Sequence, residues 1–215
     1  MTDSRNPIAP GDIEARSFEI IESEVPEPRP YQGGQWSVVR RMIHASADFD
    51  LLRLVRFHPE ALSSGLQALT RGCTILTDTQ MTRAGITSGR MERLGCSVNC
   101  HLSDPDVVEL AGRQNLTRTA AAVRKGLDRL DGAVYVLGNA PTALFELLSQ
   151  TEATGRRPAL IVGMPVGFVG AAESKQALAA RTDLPCITLQ GRKGGSALAA
   201  ACVNGLAELA LAEKG

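Results

Sequence analysis

The chain has 215 residues with 23 basic and 23 acidic side chains, so no global field draws in nucleic acid or a membrane surface, and any anion site must be local. Hydrophobic residues make up 44% and charged residues 21%, ordinary proportions for a globular protein, and the length suits one domain over 1–215. Aromatics are only 4%, which argues against stacking platforms for single strands and leaves an aliphatic core.

Residues 1–11 read as a mobile N-terminus. Ile13 to Ile21 reads as a short helix, and SEVPEPRPYQGG, with three prolines and a glycine pair, as a loop. Trp36, Val39 and Ile43 recur at helical spacing and predict a helix from Trp36 to His44. In ASADFDLLRLVRF, Ser46 and Asp48 are capping candidates before an apolar helix, and Pro59 opens another that ends near Arg71-Gly72.

The pattern then changes. Thr74 to Thr77, Ser97 to Leu102, Ala133 to Leu137, Leu160 to Val162 and Ile187 to Leu189 are short, partly β-branched runs. Helical stretches from Leu116 to Leu130, Pro141 to Thr154, Ala171 to Arg181 and Gly195 to Glu213 separate the later ones. Strands alternating with helices imply right-handed crossovers and a parallel sheet. The expected fold is a three-layer α/β/α domain. Its five-strand, doubly wound, mostly parallel sheet has flavodoxin-like order, and extra N-terminal helices pack around it or onto a second subunit. No apolar run approaches the ~20 residues that span a bilayer.

Four apolar runs lead into polar or glycine-rich loops: TILTDTQM, YVLGNAPTAL, LIVGMPVGFVGAAESK and ITLQGRKGGSALAA. In a parallel sheet such loops line up outside the strand carboxyl ends, where ligands bind. Four of them imply a ligand wider than one phosphate. None fits a P-loop, a G-x-G-x-x-G fingerprint or a G-x-S-x-G elbow. In GNAPTAL, Gly138 allows close backbone approach, Asn139 is a plausible cap, and Pro141 suits a first helical turn. Free N–H groups beside it would hold a carboxylate, or the segment is only a good strand–helix turn. In GRKGGS, Arg192 and Lys193 either neutralise carboxylates or are solvated loop charges.

The five cysteines, Cys73, Cys96, Cys100, Cys186 and Cys202, are odd in number and scattered, which with no signal peptide in view suits a reducing cytoplasm. Cys96, Cys100 and His101 lack metal-site spacing, so buried free thiols are the better reading. His58 reads as structural, and His101 is undecided. His44 ends an amphipathic helix before a small polar segment, a position from which a histidine exchanges protons near neutral pH. A lone histidine is structural more often than catalytic, and spacing alone leaves the choice open.

Taken together, IEARSFEII, RRMIHASADFD, TDTQM-x-x-AGI, NLTRTAAA, GNAPTALF, GMPVGFVGAAESK and GRKGGS resemble the precorrin-8X methylmutase family of cobalamin biosynthesis. The likeness covers nearly the whole chain in collinear order. It implies an isomerase that moves a methyl group on ring C of a ring-contracted tetrapyrrole to the adjacent ring carbon, without organic cofactor or protein-bound metal. It also implies a homodimer with active sites near the subunit interface, and a possible hand-over to neighbouring cobalamin-pathway enzymes. By this resemblance His44 is the catalytic general acid. Ser17, Thr87 and Arg118 contact substrate, and the loops around Gly138, Asn139, Gly163, Gly191, Arg192, Lys193, Gly194 and Gly195 receive its carboxylates. IHASADFD, HLSDPDVV and GRKGGS look more like the branch acting on cobalt-precorrin-8, where the cobalt belongs to the substrate. A non-catalytic tetrapyrrole carrier and a flavodoxin-like FMN protein are the competing readings.

Overall fold

The computed structural model describes residues 12–214; the expectation for residues 1–11 lies outside them. The chain begins with helices α1 (Ile13–Glu24), α2 (Gly33–Ser46) and the single turn α3 (Leu51–Leu54), then strand β1 (Val55–Phe57) and α4 (Ala61–Thr70). The α/β alternation follows: β2 (Thr74–Thr77), α5 (Gln80–Gly85), α6 (Ser88–Leu94), β3 (Ser97–Asn99), α7 (Pro105–Gln114), α8 (Arg118–Gly126), β4 (Val134–Leu137), α9 (Pro141–Thr154), β5 (Leu160–Gly163), α10 (Ala171–Ala179), β6 (Cys186–Leu189) and α11 (Ser196–Lys214).

The sheet order is β1-β6-β5-β4-β2-β3, with every pairing parallel except β1 against β6. The five expected strands stand in the flavodoxin-like order, and the chain reverses direction between β2 and β4. The inner strands β2, β4, β5 and β6 are buried on both faces, so their alternate residues serve opposite cores. Ile75, Val134, Val136, Leu160, Val162 and Ile187 face the layer built from α2, α4, α6 and α11. Leu76, Tyr135, Leu137, Ile161 and Cys186 face the layer of α8, α9 and α10. The core is mainly aliphatic. The only tryptophan, Trp36, is buried near the start of α2 with the Arg29 guanidinium 4.7 Å from its ring centroid.

Local chemistry explains the element ends. Thr79 caps α5 by accepting from Thr82 N–H at 3.1 Å, and Thr117 caps α8 by accepting from Ala120 N–H at 3.2 Å. Pro141 opens α9 and Gly155, in the left-handed region, closes it. Helix α2 packs closely on α11, because a β-carbon on Gly205 would lie 3.1 Å from Val38 Cα.

Three expectations need correction. LLRLVRF is not one apolar helix: Ser46 belongs to α2, its hydroxyl donating to Met42 O at 2.9 Å, and α3 gives way at once to β1. The edge of β6 captures this strand through Gln190 N–H to Leu54 O and His58 N–H to Cys186 O, both at 2.8 Å. Long-range pairing overrides local helical spacing here. Helices α5, α6 and α7 add to the expected set, and the predicted Leu116–Leu130 helix starts at Arg118 and ends in a 3₁₀ turn over Leu127–Arg129. Finally, α11 is long and apolar enough, by length and composition, to cross a bilayer. It is nevertheless buried from Leu198 to Ala207 as the central helix of one core layer.

Candidate active site at the carboxyl edge of the sheet

The parallel strands β2, β4, β5 and β6 end on one edge, and their loops form the candidate site. The crevice between β2 and β4, where the chain reverses, is the usual ligand position in such a fold. Here it holds the protein's own carboxylate. Asp78, 2% exposed, follows β2 directly. Its Oδ1 accepts from Gly138 N–H at 3.1 Å and Thr82 Oγ1 at 3.0 Å; its Oδ2 accepts from Asn139 N–H at 2.7 Å and Ala140 N–H at 2.9 Å. With its proton on Asp78, the Thr82 hydroxyl accepts from Ser196 Oγ at 2.9 Å, at the first residue of α11.

This arrangement corrects the sequence reading of GNAPTAL. The N–H groups at the start of α9 do hold a carboxylate, but it is internal, and a phosphate there would meet a negative charge. The FMN reading loses its anion site. The Gly138 backbone faces protein rather than open space, since a β-carbon would lie 2.6 Å from Ser196 Cα. Gly163 is likewise buried, its absent side chain filled by Leu178 Cδ2 at 2.4 Å. Of the residues singled out in these two loops, Asn139 presents an exposed side chain.

The β6–α11 loop is held from several sides. Gly195 N–H donates to Met164 O at 2.9 Å, and Gly167 N–H donates to Arg192 O at 3.2 Å. A β-carbon on Gly194 would sit 2.2 Å from Met164 O, so this glycine is required by contact between two loops. Gly191 and Gly195 have φ of 74° and 128°, the left-handed region that favours glycine. Lys175 on α10 is 1% exposed and its ammonium donates to Lys193 O; burial pushes its pKa down to about 8. Arg192 is exposed and lies 5.5 Å from the ring centroid of Phe168, itself 83% exposed. The Lys193 ammonium instead donates to Asp48 Oδ2 at 2.7 Å and Asp50 Oδ2 at 2.8 Å, two carboxylates that raise its pKa.

His44 lies half-buried in the last turn of α2, just before these two aspartates. Its ring meets Phe18 of α1 edge-on, centroids 5.3 Å apart at 66°. Phe18 in turn lies beneath the guanidinium groups of Arg40, at 4.3 Å, and Arg41, at 5.2 Å. An aromatic contact orients the imidazole while leaving its nitrogens for other partners.

Ser17, next to Phe18, donates its hydroxyl to Ile13 O at 2.8 Å within α1. Thr87 precedes α6 and is tied to α11 by its N–H to Asn204 Oδ1 at 2.9 Å; its Oγ1 accepts from Arg90 at 3.0 Å. Arg90 and the buried Arg41 both bind Glu208, and Arg41 reaches Glu14 at 2.9 Å. One ion-pair network therefore joins the elements carrying Ser17, His44 and Thr87. Arg118 opens α8, exposed, where Thr117 and Thr142 hydroxyls 2.9 Å apart join the starts of α8 and α9.

The structure thus brings Phe18, the neighbour of Ser17 in α1, against His44, and ties the Gly191–Gly195 loop to the His44 segment through Lys193. It joins Gly138 and Asn139 to the start of α11 through Asp78, Thr82 and Ser196. Cys96 donates to Leu69 O at 3.4 Å and His101 Nδ1 is 2.8 Å from Asp104 Oδ2; among the described residues no three His, Cys, Asp or Glu side chains gather as a metal group. Sequence reasoning missed Phe18, Asp78 and Lys175. Asp78 had a usable signal, an acid directly after a buried strand and four residues before Thr82. Lys175 had none, because AAESKQALAA reads as a helix with a solvent-facing lysine.

Comparison with known proteins agrees with the sequence resemblance. The precorrin-8X methylmutase family model matches residues 12–209. A protein of Priestia megaterium named cobalt-precorrin-8 methylmutase is 42% identical over 94% of this chain and 89% of its own length. One of Pseudomonas aeruginosa named precorrin-8X methylmutase is 47% identical over 78% of this chain and 80% of its own length. A crystal structure of precorrin-8X methyl mutase from Thermus thermophilus superposes with a TM-score of 0.87 at 41% identity, covering 94% of this chain and 97% of that one. The chain belongs to the precorrin-8X methylmutase family, isomerases of cobalamin biosynthesis.

Proposed function

We propose that this protein moves a methyl group on ring C of cobalt-precorrin-8 to the adjacent ring carbon, with His44 as proton donor, giving a cobyrinate-type corrin. The observation that carries the role of His44 is its setting: a half-buried imidazole oriented by Phe18, beside a sheet edge lined by loops and exposed cations. The shift needs no nucleophile. The protein must hold the macrocycle in one geometry and stabilise charge on its nitrogens, and a well-placed acid lowers the barrier by donating to the ring and recovering the proton after migration. No net proton is consumed, as an isomerisation requires. Cobalt arrives in the substrate, and no organic cofactor or protein-bound metal takes part.

Arg118 and Arg192 grip substrate carboxylates from either side of the α9 start, with Ser17, Thr87 and Asn139 supplying neutral contacts. The relatives' names divide between cobalt-containing and metal-free substrates, at 42% and 47% identity, so identity alone does not separate the branches. The IHASADFD and GRKGGS segments favour the cobalt form. Met81, Val166, Phe168 and Val169 are exposed apolar side chains in loops or helix starts after strand carboxyl ends, which supports a homodimer with its active sites near the interface. A cytoplasmic location and product hand-over to a neighbouring enzyme of the pathway complete the proposal.

Parallel incubation with cobalt-precorrin-8 and metal-free precorrin-8X, followed by absorbance, tests it. Rearrangement of the cobalt form is expected to be the faster. Binding of both without rearrangement would make the protein a carrier.

A further inference from the structure

The β6–α11 loop carries two neighbouring cations that the structure treats differently. The Arg192 guanidinium lies over the exposed Phe168 ring, 5.5 Å from its centroid. Lys193 bridges two carboxylates, at 2.7 and 2.8 Å, and both lie within six residues of His44. We infer that Lys193 is a positioning residue, a clasp that locks the His44-bearing end of α2 onto the sheet edge, rather than a substrate contact. The inference rests on the reading of His44 as proton donor.

Both ends of the clasp are prepared. On the loop side, the Lys193 carbonyl accepts from the buried Lys175 ammonium, and the next residue is pressed against Met164 O. On the helix side, Ala47 turns the chain through the left-handed region at φ 51°, and Asp50 N–H donates to Asp48 Oδ1 at 2.9 Å. That bond leaves Oδ2 of both aspartates aimed at one ammonium. Arg53 also pairs with Asp50. Two cations therefore meet two carboxylates, and Lys193 offers no uncompensated charge to a polyanion. A substrate carboxylate placed here would meet Asp48 and Asp50 instead.

Phe49 and Leu51 pack into the core, so the segment folds without the clasp. What the clasp sets is the tilt of the last turn of α2, and with it the reach of the His44 ring. Misplacement on the order of 1 Å can cost a reaction as much as ~10²-fold.

The test is a double-mutant cycle on the full-length enzyme: Lys193→Met, the pair Asp48→Asn with Asp50→Asn, and all three together. Asparagine keeps an oxygen for the Asp50 N–H. Three readouts are taken: turnover of cobalt-precorrin-8, affinity for the corrin product, and amide hydrogen exchange over residues 44–50 without ligand. Either change alone is expected to slow turnover about tenfold, and the combination no further. Product affinity should stay within about twofold, exchange should quicken, and Lys193→Arg should recover most of the rate. If Lys193→Met weakens product binding tenfold while the aspartate pair does not, Lys193 grips substrate and the clasp is wrong. Unchanged exchange over 44–50 also overturns it. His44→Ala runs alongside: normal turnover by that variant would remove the catalytic reading, and the exchange data would still judge the clasp.

Discussion

Asp78 accepts the backbone N–H of Asn139 at 2.7 Å, across 61 residues of sequence, and so closes the crevice between β2 and β4 from within. Three backbone donors and one hydroxyl converge on that buried carboxylate. Asp78→Asn should lower stability by about 2–3 kcal/mol, because whichever way the amide turns, its NH₂ meets a donor. Asp78→Ala should cost at least as much. Urea denaturation measures both, and an unchanged midpoint would show that the donors find other partners.

His44 is half-buried with its ring edge-on to Phe18, the setting on which its proposed role as proton donor rests. His44→Ala should bind the corrin product nearly as well as the wild type and rearrange substrate at least ~10²-fold more slowly. Near-normal turnover would return His44 to a structural role.

Arg118 stands exposed at the start of α8, where a planar guanidinium can take a carboxylate in two places. Arg118→Ala should cost about 1.5–3 kcal/mol of product affinity, roughly tenfold or more. Arg118→Lys keeps the charge, loses the fork, and should fall between the two. Equal affinity in all three proteins would place Arg118 outside the site.

Gly194 reverses the expectation drawn from its motif. A side chain there would weaken ligand binding if the glycine faced substrate, but its β-carbon position lies 2.2 Å from Met164 O and 2.7 Å from Pro165 O. Gly194→Val should therefore destabilise the fold by about 2 kcal/mol or more. Thermal unfolding without ligand is the check; a wild-type melting temperature with lost product affinity would restore the original view.

Lys175 makes stability depend on pH. Burial lowers its pKa in the folded protein to about 8, against 10.5 ordinarily. Below about pH 8 the ammonium is charged in both states and the cost of burying it is present in full. Between about 8 and 10.5 the unfolded chain binds more protons, so this group's contribution to stability rises with pH. The difference in unfolding free energy between wild type and Lys175→Met should shift toward the wild type from pH 8 to pH 10. A constant difference would mean that the amine is not desolvated.

Much of the fold was legible because parallel strands leave a plain mark: VYVL and LIVG are apolar on both faces and are followed by glycine, asparagine or proline. Val55 to Phe57 was not, because an edge strand of three residues has no period of its own and exists through pairing with β6. The site divides in the same way. His44, Arg118 and the β6–α11 loop were singled out from motif order, and their places at the sheet edge and in the last turn of α2 follow from the strands and helices that were legible. What Gly138, Gly163 and Gly194 do was not, since an absent side chain looks the same whether a ligand or a neighbouring loop fills its place. Lys193 shows the same gap for charge, because its partners are more than 140 residues away.

Trp36 shares α2 with His44, eight residues earlier and about 12 Å away along the helix axis. As the sole indole in the chain, it turns the protein into its own optical gauge. A coloured macrocycle seated beside His44 would drain its emission by energy transfer. Occupancy of the site would then be readable in real time, without a label and independently of turnover.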